Sequence, residues 1–160
     1  MTFRKTAAIA SLLTVLMMTV LDVTVVNVAL PVMAEEFAVS DSAAVWVVTS
    51  YQLVLTMLLL PLSSLGDIYG YRRVFLAGVA LFTAASALCA AAQGFATLVA
   101  ARALQGLGGA CVMGVNIALT RIIYSPSRLG RGLALNAMVI AVATAAGPTV
   151  AGLVLSGASW

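Results

Sequence analysis

Within LDVTVVNVALP, residues 21–31, one carboxylate, Asp22, stands in a run otherwise suited to hydrocarbon. It is the only formally charged residue between Lys5 and Glu35. A second isolated charge, Arg102, lies inside the apolar stretch LVAARALQGLGGA. An ionised group at the centre of a bilayer costs about 2.5–3.5 kcal/mol on insertion scales, so such residues face a bundle interior or a water-filled pathway. Desolvation favours the neutral form of a carboxyl group, whereas a nearby guanidinium favours the ionised form. An acid and an arginine whose separation changes can therefore load and release a proton, and transport couples naturally to that cycle. The competing reading is a static buried ion pair that fixes helix register.

The rest of the chain is built to hold such a pair in a membrane. It has 160 residues, 63% hydrophobic and 8% charged, whereas soluble domains average about 25% charged residues. Five apolar runs are long enough to span, at about 7–33, 43–65, 74–92, 97–120 and 132–155. All read as helices, because a spanning segment must satisfy its own backbone hydrogen bonds. They are joined by MAEEFAVSDS, GDIYGYRR, QGFA and RIIYSPSRLGRG; the shortest, QGFA, requires a tight hairpin. Arg4-Lys5 followed by an apolar run resembles a signal peptide, with Val32-Met33-Ala34 mimicking a cleavage site, but the run is too long for one.

Seven of the eight basic residues (Arg4, Lys5, Arg72, Arg73, Arg121, Arg128 and Arg131) fall on one side of this topology, opposite Glu35, Glu36 and Asp41. The positive-inside rule places that side, and the N-terminus, in the cytoplasm of a plasma membrane, the inner membrane in a bacterium. The same scatter of charge argues against nucleic acid as a partner. There is no histidine, and Cys89 and Cys111 lack a second ligand pair, so neither a metal site nor a disulfide framework is expected. GLGG at 106–109 lacks the preceding strand and lysine of a phosphate loop, and nothing suggests an enzyme or a cofactor. Five spans ending at Trp160 without a polar tail are expected of a partial bundle; VNVAL at 26–30 and VNIAL at 115–119 echo each other, as related three-helix repeats would.

Counting from the outer end, Asp22 lies roughly 16 Å deep, Gln52 about 14 Å and Arg102 about 8 Å at 1.5 Å per residue. Asp22 and Arg102 are thus expected to interact directly, through Gln52, or through water. On the fourth span Arg102, Gly109, Met113, Asn116 and Thr120 fall within about 40° of one another and are expected to line a wet cavity. Gly106, Ala110, Gly114 and Ala118 beside them permit close helix packing. Asn27 is rotated about 140° from Asp22 and is assigned a separate task. Asn27, Gln52, Met113 and Asn116 are the expected cavity wall.

Four motifs in order give the chain a resemblance. LDVTVVNVALP is similar to the helix-1 signature of the fourteen-helix drug/proton antiporter branch of the major facilitator superfamily, with Asp22, Asn27 and Pro31 at its polar and proline positions. SSLGDIYGYRRVF resembles the superfamily loop motif G-x-L-a-D-r-x-G-r-k: Asp67, Gly70 and Arg72 match, and Arg73 extends the basic pair, while Ser63, Ile68 and Tyr71 depart from it. LVAARALQGLGGA is similar to l-x-x-x-R-x-x-q-G-x-g, with Leu98, Arg102, Gln105, Gly106 and Gly108 in place. AVATAAGPTVAG resembles the helix-5 antiporter motif through Gly147, Pro148 and Gly152; Ala143 and Ala151 stand where glycine is common.

The resemblance implies an all-α membrane protein, residues 1–160 forming most of an N-terminal six-helix bundle. It implies that Asp22 and Arg102 couple protons to substrate movement. It implies that Asp67 caps a helix in the other half of the transporter, and that Pro148 kinks the fifth helix beside a stripe of Ala143, Gly147 and Ala151. The function expected is a proton-coupled efflux antiporter for small hydrophobic or cationic compounds, working by alternating access in the lipid bilayer with the C-terminal half as partner. Two alternatives stand beside it: a proton-coupled uptake symporter on the same fold, and a non-transporting five-helix subunit.

Overall fold

The computed structural model describes residues 3–157, and those residues form helices and short joints with no strand. The helices are α1 (Phe3–Glu36), α2 (Asp41–Ala44), α3 (Trp46–Tyr69), α4 (Tyr71–Ala90), α5 (Phe95–Ile123) and α6 (Leu129–Gly157); a 3-10 turn, Pro126–Arg128, leads into α6. Five stretches are long and apolar enough to cross a membrane, with α2 and α3 together making the second.

The helices outrun the apolar segments, so the polar joints are shorter than composition suggests. GDIYGYRR is helical except at Gly70, where φ +91° and ψ 129° separate α3 from α4 by a single residue. Only glycine reaches such a conformation without strain. α1 ends after Glu36 in a paired closure: Ala38 N–H donates to Glu35 O at 3.2 Å and Val39 N–H to Ala34 O at 3.0 Å. Ala38 takes the left-handed position of that cap, with φ 51°. Ser40 then caps α2, its hydroxyl accepting from Ala43 N–H at 3.3 Å.

α5 is the centre of the packet. Half of its membrane window is buried (50%), against 17% to 22% for the other spans. Its small residues make this possible. A side chain at Gly106 would strike the backbone of Tyr51, and one at Gly114 would lie 3.0 Å from Leu59 O, so both faces belong to α3. A side chain at Gly108 would meet the α4 backbone at Phe82 and Gly78. Ser50 and Ser63 of α3 tie the contact by donating to Val99 O at 3.3 Å and Gly114 O at 3.0 Å. α6 packs chiefly along α1, through buried Ala143, Gly147 and Ala151; a side chain at Gly147 would overlap Thr24.

Two apolar clusters close this packet. One joins Leu12, Val74, Phe75, Val112 and Val115; the other joins Ala29, Met33, Val47 and Leu98. The start of α1, the α3–α4 joint and the end of α5 share the end of the molecule carrying Arg72 and Arg73. Along α1, α3, α4 and α5 respectively, Asp22, Tyr51, Ser86 and the pair Arg102 and Gln105 fall between the residues of the two clusters.

Candidate functional site

Asp22 and Arg102 meet directly: Arg102 Nη1 donates to Asp22 Oδ2 at 2.7 Å. The arginine side chain is 2% exposed and the aspartate 21%. Asp22 opens onto a cavity of about 240 Å³, whose walls include Val25, Val26, Met33, Leu98 and Val154. A strong base is thus sealed inside the packet while its acid partner keeps one accessible edge.

Gln105 completes the arrangement. One helical turn beyond Arg102 and 1% exposed, it receives a bond from Arg102 Nη1 on Oε1, while its Nε2 donates to Asp22 Oδ1 at 3.0 Å and to Ser86 Oγ at 2.7 Å. Cys89 Sγ donates weakly to the same Oε1 at 3.7 Å. Both amide hydrogens and both lone pairs of the glutamine are therefore engaged, and turning the amide over would set its NH2 against the guanidinium. The network closes when Asp22 is an acceptor at both oxygens.

α3 supplies the remaining support. Arg102 Nε donates to Val47 O at 3.3 Å, and the guanidinium carbon lies 4.8 Å from the centroid of the Tyr51 ring. Arg102 Nη2 and the Tyr51 hydroxyl are buried without a hydrogen-bond partner.

The other expected residues disperse. Gln52 is exposed and takes no part in the pair; α3 buries Val47, Ser50 and Tyr51, and Gln52, one residue on, turns away from α5. The mediator is Gln105 of α5, which the l-x-x-x-R-x-x-q-G-x-g motif contains but depth counting does not single out. Asn27 is exposed, its amide donating to Val23 O at 2.9 Å. The expected wet stripe is largely packed instead. Gly109 abuts the Tyr51 hydroxyl, Met113 is half-buried, and Asn116 and Thr120 are buried. Asn116 is not a cavity wall here, because α6 covers it: Asn136 Nδ2 donates to Asn116 Oδ1 at 2.7 Å and to Thr120 Oγ1 at 3.4 Å. Asn136 and Ser86 escape sequence reasoning, each being one polar residue in an apolar run.

At the joint, Asp67 Oδ1 accepts from the hydroxyl of Tyr71, one of the three residues that depart from the loop motif, while Arg72 and Arg73 are exposed. In α6, Gly147 is buried against α1; Pro148 and Gly152 are exposed, with nothing beside Gly152.

The sequence model described as Major Facilitator Superfamily matches residues 12–160. The chain is 42% identical over 157 residues to the uncharacterized transporter YebQ of Escherichia coli (strain K12), covering 98% of this chain and 34% of that protein. It is 39% identical over 158 residues to the multidrug efflux pump LfrA of Mycolicibacterium smegmatis, covering 98% and 31%. It is 37% identical over 146 residues to the multidrug resistance protein Stp of Mycobacterium tuberculosis (strain CDC 1551 / Oshkosh), covering 91% and 27%. The chain spans about a third of the length of these curated relatives. A buried acid–arginine pair inside a packet of spanning helices, matched by a family model over nearly the whole chain, leads to one assignment: this is a multi-pass membrane protein of the Major Facilitator Superfamily.

Proposed function

We propose that this chain supplies the proton-coupling half-site of an efflux antiporter in the cell membrane, its N-terminus cytoplasmic. Asp22 carries the proton and Arg102 holds the unloaded acid. The observation that bears most weight is the asymmetry of the pair: on a cavity wall that both residues help to line, a guanidinium 2% exposed lies 2.7 Å from a carboxylate 21% exposed. Burial favours the neutral form of a carboxyl group and a contacting cation the charged form, so separation and proton loading drive each other. With both oxygens of Asp22 already accepting bonds, an added proton finds an acceptor only toward the cavity or by turning Gln105. Loading therefore loosens the tie between α1 and α5.

The efflux direction is supported by relatives whose names specify multidrug efflux and multidrug resistance. In this reading protons enter from outside as a small apolar or cationic compound leaves. The exposed Asn27 and Gln52 and the half-buried Met113 are available to the substrate path, and Asp67, Gly70, Arg72 and Arg73 form the loop that meets the rest of the transporter.

The test is ethidium movement driven by a pH gradient in vesicles carrying the transport-competent protein. Asp22→Asn is expected to abolish gradient-driven efflux, and unchanged efflux in that variant would reject proton carriage. Accumulation in place of exclusion would support uptake on the same fold.

A further inference from the structure

One turn of α3 grips Arg102 on two sides. Val47 O takes the Nε hydrogen at 3.3 Å, and four residues later the Tyr51 ring lies 4.8 Å from the guanidinium carbon. The ring is 1% exposed and cannot drift. Gly106 receives its backbone, and a side chain at Gly109 would come within 2.8 Å of its hydroxyl oxygen, so α5 provides a notch shaped for it. The hydroxyl has no partner among the described residues, so hydrogen bonding does not account for a tyrosine there. What the site uses is the aromatic face. Arg102 Nη2 is likewise buried without an acceptor, and the ring is the one further electron-rich surface that the guanidinium contacts among the described residues.

We propose that Tyr51 is a positioning residue of the coupling pair: its ring supports the Arg102 cation when Asp22 becomes neutral, so the acid releases its partner without the arginine leaving its seat. The inference rests on the proton-carrying reading of Asp22. A cation over an aromatic face gains most when both are out of water, which is the situation of Arg102 and Tyr51. The charged and titratable groups around Asp22 are Arg102 on α5, Cys89 on α4 and Tyr51 on α3; α6 brings only Val154 and Leu155 to the cavity, and α1 only apolar neighbours.

Infrared titration of the lipid-reconstituted chain tests this. The carboxylic-acid stretch of Asp22 is identified as the band lost in Asp22→Asn, and its intensity is followed against pH. Tyr51→Phe keeps the ring and is expected to leave the midpoint in place. Tyr51→Met fills the notch with a flexible chain lacking a π face, and is expected to move the midpoint to lower pH by on the order of one unit, because the ionised acid is then needed more to hold the cation. Equal midpoints in the Met and Phe variants would overturn the role of Tyr51 while leaving Asp22 a titrating group. Absence of the band at every pH in the parent chain would overturn proton carriage, and this inference with it. Should circular dichroism show that Tyr51→Met does not fold, Tyr51→Leu makes the same comparison; failure of both beside a folded Phe variant assigns the ring to packing and also overturns the proposal.

Discussion

Asp22→Asn is usually regarded as a neutral mimic of the protonated acid, but the geometry makes it something harsher. In the parent chain Asp22 Oδ2 accepts from Arg102, Asp22 Oδ1 accepts from Gln105 Nε2, and Gln105 Oε1 accepts from Arg102. An asparagine amide nitrogen can accept nothing. Aimed at Arg102 it sets donor against donor; aimed at Gln105 it does the same. Turning Gln105 to present its oxygen moves the conflict to the Gln105–Arg102 contact. Every arrangement leaves one clash and a sealed cation without its anion. Removing one partner of a buried pair costs about 3–5 kcal/mol; the exposed edge of Asp22 and the mild strength of hydrogen bonds between membrane helices, averaging about 0.6 kcal/mol, point to the lower end, about 3 kcal/mol. Exchanging the two residues, Asp22→Asn with Gln105→Glu, restores a complementary set. The amide now on α1 donates to the carboxylate now on α5 and accepts from Arg102, while that carboxylate accepts from Arg102 and from the Ser86 hydroxyl. Unfolding of the chain in mixed detergent micelles, followed by circular dichroism, measures both variants. The exchange is expected to recover most of the loss, and an exchange variant no more stable than Asp22→Asn alone would refute the account of the network.

Gly70→Ala places a side chain at φ +91° in open space, so its cost is backbone strain alone, about 1–3 kcal/mol by thermal unfolding. Gly147→Ala is expected to destabilise the α1–α6 contact by about 1–3 kcal/mol, with recovery when Thr24→Gly, which removes the Cβ as well as the hydroxyl, is added; lack of recovery would show that the contact lies elsewhere. Asn136→Leu removes the polar tie between α6 and α5 and is expected to cost about 0.6–1.7 kcal/mol in the same unfolding assay, with no further loss when Asn116→Leu is added.

The pairing of Asp22 with Arg102 is legible in the sequence because isolated charges in apolar runs have few destinations. Depth along a helix, however, is only one of two coordinates. Gln52 has a suitable height but faces away from α5, and the rotation of α3 is set by the Gly106 and Gly109 notch that seats Tyr51, which no pattern in α3 itself reveals. The same limitation explains Asn116: its face on α5 is recognisably polar, but the residue that bonds its oxygen, Asn136, lies 20 positions away on a helix whose register is fixed by Thr24 and Gly147. The five spans are readable from apolar length; their true ends are not, because a helix persists past the hydrocarbon wherever its joint residues tolerate helical backbone, as GDIYGYRR does on either side of Gly70.

Placing the polar network between two greasy layers also has an electrical side. A membrane potential falls across regions that exclude water and ions; on one side of Asp22 that is the Leu12–Val115 cluster, while on the other Ala29, Met33, Val47 and Leu98 wall the cavity onto which the acid opens. A proton reaching the acid from one face crosses part of that drop, the full crossing of an elementary charge being worth about 2.3 kcal/mol per 100 mV. On the proposed proton-carrying reading, occupancy of Asp22 then answers to voltage as well as acidity, in proportions governed by how the drop divides between the cavity and the insulating cluster beneath it.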